Sequence, residues 1–413
     1  MAIFDIDSDS DSEYSSVYPQ RRQTYTREEL LNLNKNHIYV TADQDLASNI
    51  MRTNRDMAEI ILPNFQIRET HEEEELEDIE EEGVKDKLEI MSNIADLVLN
   101  DQIILIVSLL KVSPKKVGML ESIVEVLKET LSRDFPNCKA YPYGSTSGGF
   151  AFEDCDLDVF IDLGLCSLDN ITAVSRTDQQ ERTKLMAQIL SREYRFRSAI
   201  PIVNARVPIV KLQDRKTGIH CDINCSCGIG MKNSEFIKFC RLFDVRVDQL
   251  VSFVKLLAIN YDIIGRGPGD HLSSYTVVLM VLFFLQHQNI LPSVEVLQSN
   301  IDEDICFGWN FAIDKEYVME SSNTSNVLTL LVDFFSFYIN FPYKTHTVCP
   351  LLGRLVKKYN LKYSYSLPDV LSNSPSFGRQ TDKLELNKCL VVQDPFELSR
   401  NVSSSVSEYS VGK

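Results

Sequence analysis

Residues 143–158 read YGSTSGGFAFEDCDLD: a Gly-Ser, two further glycines, then Asp-x-Asp. The segment 155–164, CDLDVFIDLG, alternates and then runs apolar, as strands do. Alternate strand residues share a face. Asp156 and Asp158 therefore project together, while Leu157 and Val159 turn into a core. Two carboxylates at that spacing repel unless positive charge lies between them, and hard oxygen donors suit Mg2+ or Mn2+. Asp222, in IHCDINC, has a similar strand setting. If its strand lies beside the first, three carboxylates converge as the ligand set of a two-metal phosphoryl-transfer site. A triphosphate held there needs amides and a hydroxyl close by. Gly144 lets the chain turn and approach, Ser145 offers a hydroxyl and an amide, and Gly148 and Gly149 keep the loop compact. The plainer alternative is a Gly-rich hairpin beside an exposed acidic pair.

Around this stretch the chain reads as an α/β unit followed by helices. Helical periodicity covers 86–101 and 113–135, with Ser113 and Pro114 suited to an N-cap and first turn. Strands are expected at 139–145 and 155–164, a helix at 177–194, and β-rich segments at 199–214 and 218–227, parted by the turn signal RKTG. From about 233 the helical period takes over, with helices expected over 233–243, 246–264, 273–288 and 325–341.

The chain has 413 residues, 44% of them hydrophobic, with a formal net charge of −17. Residues 1–82 hold seven Lys/Arg against twenty-one Asp/Glu, a net of −14, so the remainder carries only −3. The acidity belongs to the N-terminal segment and does not exclude a polyanionic partner for the rest. Residues 1–85 are expected to be an acidic, mostly disordered tail, since same-sign runs such as HEEEELEDIEEEG build no core. Ten scattered cysteines and no signal peptide point to reduced thiols in the cytosol, with the nucleus as the alternative. The longest apolar run, TVVLMVLFFL at 276–285, is too short for a membrane span. Cys221, Cys225 and Cys227 lie on one strand that cannot turn all three onto a zinc ion, and GRGPGD at 265–270 lacks the strand and Lys of a phosphate loop.

The ordered set YGSTSGGFAFEDCDLDVFI, ARVPIVKL and CDINC resembles the DNA polymerase β-like nucleotidyltransferases. With HLSSYTVVLMVLFFLQ and VQDPFELSRNV added, it resembles the template-independent RNA terminal nucleotidyltransferases, both poly(A) polymerases and terminal uridylyltransferases. The resemblance covers about residues 90–405. It implies an α+β fold: a mixed-sheet nucleotidyltransferase domain at 86–240, whose first helices could instead pack on the second domain. A mainly helical, poly(A)-polymerase-associated recognition domain follows at 241–405, with a cleft between the two and a flexible end at 406–413. It implies that Asp156, Asp158 and Asp222 bind two Mg2+ or Mn2+ ions, with Asp222 nearest the RNA 3′-hydroxyl. Gly144, Ser145, Lys255 and Ser274 would meet the phosphates, Asn233 and Ser234 the sugar, and Tyr275 the face of the base; Asp394 and Glu397 would read its edge. Plainer readings stand beside these. Tyr275 suits a core, Lys255 a helix surface, Asn233 and Ser234 an N-cap, and DPF a turn.

Two departures bear on activity. Ile259 stands where the family often has a second lysine, which implies weaker phosphate binding. Arg400 stands where uridine-selecting members often carry His. Its N–H donors suit uracil carbonyls better than the amine of adenine, which favours UTP over ATP. An Arg that contacts RNA phosphate is the other account. The expected partners are an RNA 3′ end, UTP or ATP, and a protein that recruits the RNA, around a monomer with no membrane contact. A fold that survives as an inactive RNA-binding relative is the third reading.

Overall fold

The computed structural model describes residues 97–164, 175–265, 271–306, 308–362 and 384–407. The acidic segment 1–85, most of the helix expected at 86–101 and the GRGPGD stretch beyond Gly265 lie outside these. The described residues belong to one compact unit.

The described chain begins with helix α1 (Leu99–Leu110), followed by α2 (Pro114–Ser132). As expected, Ser113 caps α2, accepting the Lys116 N–H, and Pro114 opens its first turn. Strand β1 (Lys139–Tyr143) leads into a single turn of helix, α3 (Gly144–Gly148), and then β2 (Leu157–Asp162). Helix α4 (Arg176–Leu190), capped by Ser175, precedes β3 (Phe196–Ile202), β4 (Ile209–Asp214) and β5 (His220–Asn224). Gly218, at φ +72°, makes the turn between β4 and β5, a left-handed conformation that glycine adopts freely.

The five strands form one mixed sheet in the order β1-β2-β5-β4-β3. Only β2 and β5 run parallel; the other neighbours are antiparallel. One face is apolar: Leu157, Val159, Ile161, Val210, Leu212, Cys221 and Ile223 are buried with Leu120, Ile123, Leu127 and Leu131 of α2 and Met186 and Leu190 of α4. The opposite face stays open and carries the carboxylates.

The second half is helical. Helix α5 (Ile229–Phe243) starts four residues earlier than the expected 233, so Asn233 and Ser234 sit inside it rather than capping it. Helix α6 (Val245–Asn260) is capped by Asp244, and α7 (Ser274–His287) by Ser273. Then come α8 (Val294–Gln298), a small pair β6 (Ile305–Cys306) and β7 (Trp309–Asn310), and α9 (Val327–Ile339). A pair β8 (His346–Thr347) and β9 (Val356–Lys357) precedes α10 (Lys358–Lys362). The apolar run at 276–285 is the centre of this half; Leu279, Val281, Leu282, Phe283, Phe284 and Leu285 are wholly buried in α7. Among the described residues, no helix is long and apolar enough to cross a membrane.

Two hydrophobic cores result, one under the sheet and one among the helices. Helix α1 gives Ile103 and Val107 to the helical core although it precedes the sheet, and α5 gives it Phe236, Ile237 and Cys240.

Candidate active site

Strand register brings the carboxylates together. On the parallel pair β2–β5, Asp158 lies opposite Asp222, and Leu157 opposite Cys221. In-register neighbours point to the same side, so Asp158 and Asp222 share the open face. One row crosses the whole sheet there: Tyr143, Asp158, Asp222, Lys211 and Ile200. Asp156 immediately precedes β2, with the buried Leu157 between it and Asp158.

The electrostatics match a site built to receive positive charge. Burial pushes the Asp158 carboxyl up to about 7, and the negative charges of Asp222 and Asp156 add to the shift. Lys211 partly offsets it, with its Nζ 3.1 Å from Asp222 Oδ2. Two carboxylates side by side, one of them raised by burial and by its acidic neighbours, are donor chemistry that a divalent cation would satisfy. Among the described residues, no group of three or more His, Cys, Asp or Glu side chains is placed to hold one metal ion, so the expected convergence of all three aspartates on one centre is not seen. The Asp158–Asp222 pair fits Mg2+, which ordinarily takes one or two carboxylates and fills its octahedron with water and substrate phosphate.

Beside Asp158 the Gly-Ser turn is packed as tightly as its composition suggests. Gly144 has φ +73°, and a Cβ there would collide with the Asp158 carboxylate. The Gly144 N–H donates to Ser234 Oγ at 2.8 Å, and that hydroxyl donates onward to the Gly230 carbonyl. Ser234 thus holds the turn in place. Within the turn, Thr146 and Ser147 hydroxyls donate to the Tyr143 and Pro142 carbonyls. Ser145 Oγ makes no hydrogen bond among the described residues, and neither does the buried Asn233 Oδ1. Lys255 is buried, not on a helix surface; its Nζ donates to the Phe150 carbonyl at 2.9 Å and lies over the Phe152 ring. Ile259 is 43% exposed near the end of the same helix and supplies no charge.

The C-terminal residues form a second cluster. Ser274 opens α7, and the adjacent Tyr275 hydroxyl donates to Asp394 Oδ2 at 3.2 Å. Asp394 is fully buried; its Oδ1 accepts the Phe396 and Glu397 N–H groups, so DPF is a turn as well as a carboxylate mount. Arg400 lies over the Tyr275 ring, 5.8 Å from its centroid, and pairs with Asp394 (3.4 Å) and Glu397 (3.7 Å). The face of Tyr275 assigned to a base by resemblance is therefore shared with this guanidinium. Burial raises the Glu397 carboxyl, and Arg206 and Arg400 oppose the rise.

Arg206 was missed by sequence reasoning. It lies between β3 and β4 and pairs with Glu397 across 191 positions. Arg176 steadies that connection by donating to the carbonyls of Val203, Ala205 and Arg206. The only local signal is its place in ARVP, which does not disclose the partner.

Residues 99–241 match the family described as the central palm domain of mitochondrial-like poly(A) RNA polymerase. The speckle targeted PIP5K1A-regulated poly(A) polymerase of Xenopus tropicalis is 28% identical over 376 residues, covering 76% of this chain and 43% of that protein. Human terminal uridylyltransferase 4 is 28% identical over 278 residues, covering 64% of this chain and 15% of that protein. This chain thus spans less than half the length of either relative. In three dimensions it is similar to a crystal structure of mtPAP in complex with ATPgammaS, at TM-score 0.64 and 21% identity, covering 77% of this chain and 66% of that one; this likeness concerns the fold. The Asp158–Asp222 register, the tight Gly-Ser turn and the palm match thus fall in one stretch: residues 99–241 match the central palm domain of mitochondrial-like poly(A) RNA polymerase, and the chain is similar to poly(A) polymerases and terminal uridylyltransferases.

Proposed function

We propose that this chain adds nucleotides to RNA 3′ ends without a template, transferring UMP from UTP and releasing pyrophosphate. The observation that carries the reading is the in-register meeting of Asp158 and Asp222 on adjacent strands, with Asp158 pushed up to about 7. The sheet would serve as the catalytic domain and the helices as the recognition domain, with the nucleotide between them.

Asp156, Asp158 and Asp222 would hold two Mg2+ or Mn2+ ions. When bound, these supply Lewis acidity and neutralise charge on the triphosphate. Each residue then has a defined task. Asp222, between Asp158 and Lys211 in the row, would help an RNA 3′-hydroxyl lose its proton. Ser145 Oγ and the turn around Gly144 meet the phosphates, with Lys255 and Ser274 on the helical side. Asn233 Oδ1, buried without a partner among the described residues, takes a sugar hydroxyl. Tyr275 supports the base. The 3′-oxygen attacks the α-phosphorus in line with the departing pyrophosphate, and positioning supplies most of the acceleration.

The preference for UTP rests on Arg400, whose guanidinium lies over Tyr275 and whose N–H donors would meet the base edge. Uracil carbonyls accept such donors; the adenine amine does not. The second reading, ATP, draws on the acceptors Asp394 and Glu397 in the same cluster, which suit that amine. Primer extension with each of the four nucleotides, first in Mg2+ and then in Mn2+, tests both. Uridine tails support the proposal, adenosine tails the second reading, and no extension leaves a binding protein of this fold.

A further inference from the structure

The polypeptide passes from the helical core to the sheet core at residues 111–113, between α1 and α2. Lys111 stands at this crossing. Its Nζ donates to the Gly149 carbonyl (2.9 Å), Asp248 Oδ1 (2.7 Å) and Ser252 Oγ (2.9 Å). An ammonium has three protons, and all three are used. Two of the acceptors belong to α6 and the third closes the Gly-Ser turn. Desolvation lowers the Lys111 pKa and Asp248 opposes this, as expected of a half-buried charge held by one carboxylate.

The segment that Lys111 grips joins the turn to the metal-binding carboxylates. It is zipped along the crossing: Lys111 bridges Phe152, the Glu153 N–H donates to the Leu110 carbonyl, and the Ser113 N–H and Oγ both donate to the Glu153 carboxylate. Phe150 and Phe152 of this segment are buried in the helical core. Two lysines address it in the same way. Lys111 holds the Gly149 carbonyl and lies over the Phe150 ring, while Lys255 holds the next carbonyl, of Phe150, and lies over the Phe152 ring. Asp248, Ser252 and Lys255 are spaced four and three apart on α6, so they share one face of that helix.

We propose that Lys111 is a positioning residue for the nucleoside triphosphate: by tying Gly149 to Asp248 and Ser252, it sets the Gly144–Gly149 turn and Lys255 at the spacing of one polyphosphate. The inference rests on the nucleotidyl-transfer reading and names a residue that reading does not need. Lys111 touches no phosphate itself. Its loss lets the turn drift relative to α6, which weakens nucleotide binding before it affects the carboxylates on the sheet.

The test uses the full chain. Lys111→Met keeps the apolar stem and removes the donors. Nucleotide KM and kcat are measured in primer extension, and Kd for a non-hydrolysable triphosphate is measured in Mg2+ without RNA. KM and Kd should rise about tenfold, the scale of one charged hydrogen bond, with kcat changed less than about threefold. Asp248→Asn, a near-isosteric change at a half-exposed position, should move KM the same way. The double variant should be no worse than Lys111→Met alone, because both break one interaction. Unchanged Kd in folded Lys111→Met, a fall in kcat alone, or additive effects in the double variant each overturn the inference. Should Lys111→Met not fold, Asp248→Asn decides: an unchanged Kd there overturns it. A wild-type chain that binds no triphosphate removes the underlying reading together with this one, whereas normal wild-type binding with an insensitive Lys111 removes this one alone.

Discussion

Replacing Asp158 by Asn should stabilise the metal-free protein at pH 8 while abolishing activity. The carboxyl has an ordinary value of 3.8 and stands at about 7 in the fold, because it is buried beside Asp222 and Asp156. The folded state therefore keeps a proton between about pH 4 and 7 that the unfolded chain has lost. Stability falls as pH rises through that window and levels off above it. At about 1.36 kcal/mol per pKa unit, the ionised carboxylate costs the fold about 4 kcal/mol at pH 8. Asparagine keeps the shape and carries no charge. For a domain of this size the gain corresponds to roughly 5–10 °C in Tm. The assay is thermal unfolding of both proteins in EDTA from pH 5 to 8, repeated with Mg2+. The two curves should lie closer together at pH 5 than at pH 8, with the wild type below throughout and the gap widening as pH rises, and Mg2+ should raise the wild type alone. A difference in Tm that does not change with pH would refute the reasoning, as would a variant less stable than wild type at pH 8.

Asp222→Ala should cut primer extension by about a thousandfold or more, since residues acting as one unit fail together, while far-UV circular dichroism stays native; retained extension would remove the mechanism. Gly144→Ala meets both a φ of +73° and the Asp158 carboxylate, so it should lower Tm and activity together, with a backbone cost of about 1–3 kcal/mol; a Tm equal to wild type would show that the turn tolerates a Cβ. Arg400→Ala leaves Asp394 and Glu397 as acceptors and should raise use of ATP relative to UTP by about tenfold, judged from one charged hydrogen bond; an unchanged ratio means another residue chooses the base. Removing residues 1–85, where the net charge of −14 over residues 1–82 resides, should strengthen RNA binding at low salt and steepen its salt dependence; identical salt plots would exclude electrostatic autoinhibition.

Much of this protein is written locally. The period-2 pattern around Asp158, the Ser113-Pro114 start of α2 and the apolar run of α7 each depend on neighbours a few residues away, so the sequence announces them. Family resemblance extends that reach to Asp394 and Glu397. Even local signals misplace edges. Helix α5 begins at Ile229, directly after Gly228 at its N-cap, because no side chain between there and Asn233 forbids helix, and the Gly-Ser loop closes into a turn of helix on Ser234.

Sequence by itself offered the candidates for the chemistry: aspartates in or beside strands, a glycine-rich turn and a succession of amphipathic helices. Tertiary structure alone decided which of them meet. The Asp158–Asp222 register, the Arg206–Glu397 pair and the three acceptors around Lys111 join positions 38 to 191 residues apart. Hydrophobic burial is nondirectional and says only that a face is covered. A hydrogen bond or strand register is set within a few tenths of an ångström, and only after both cores have packed does the chain hold distant groups at that precision.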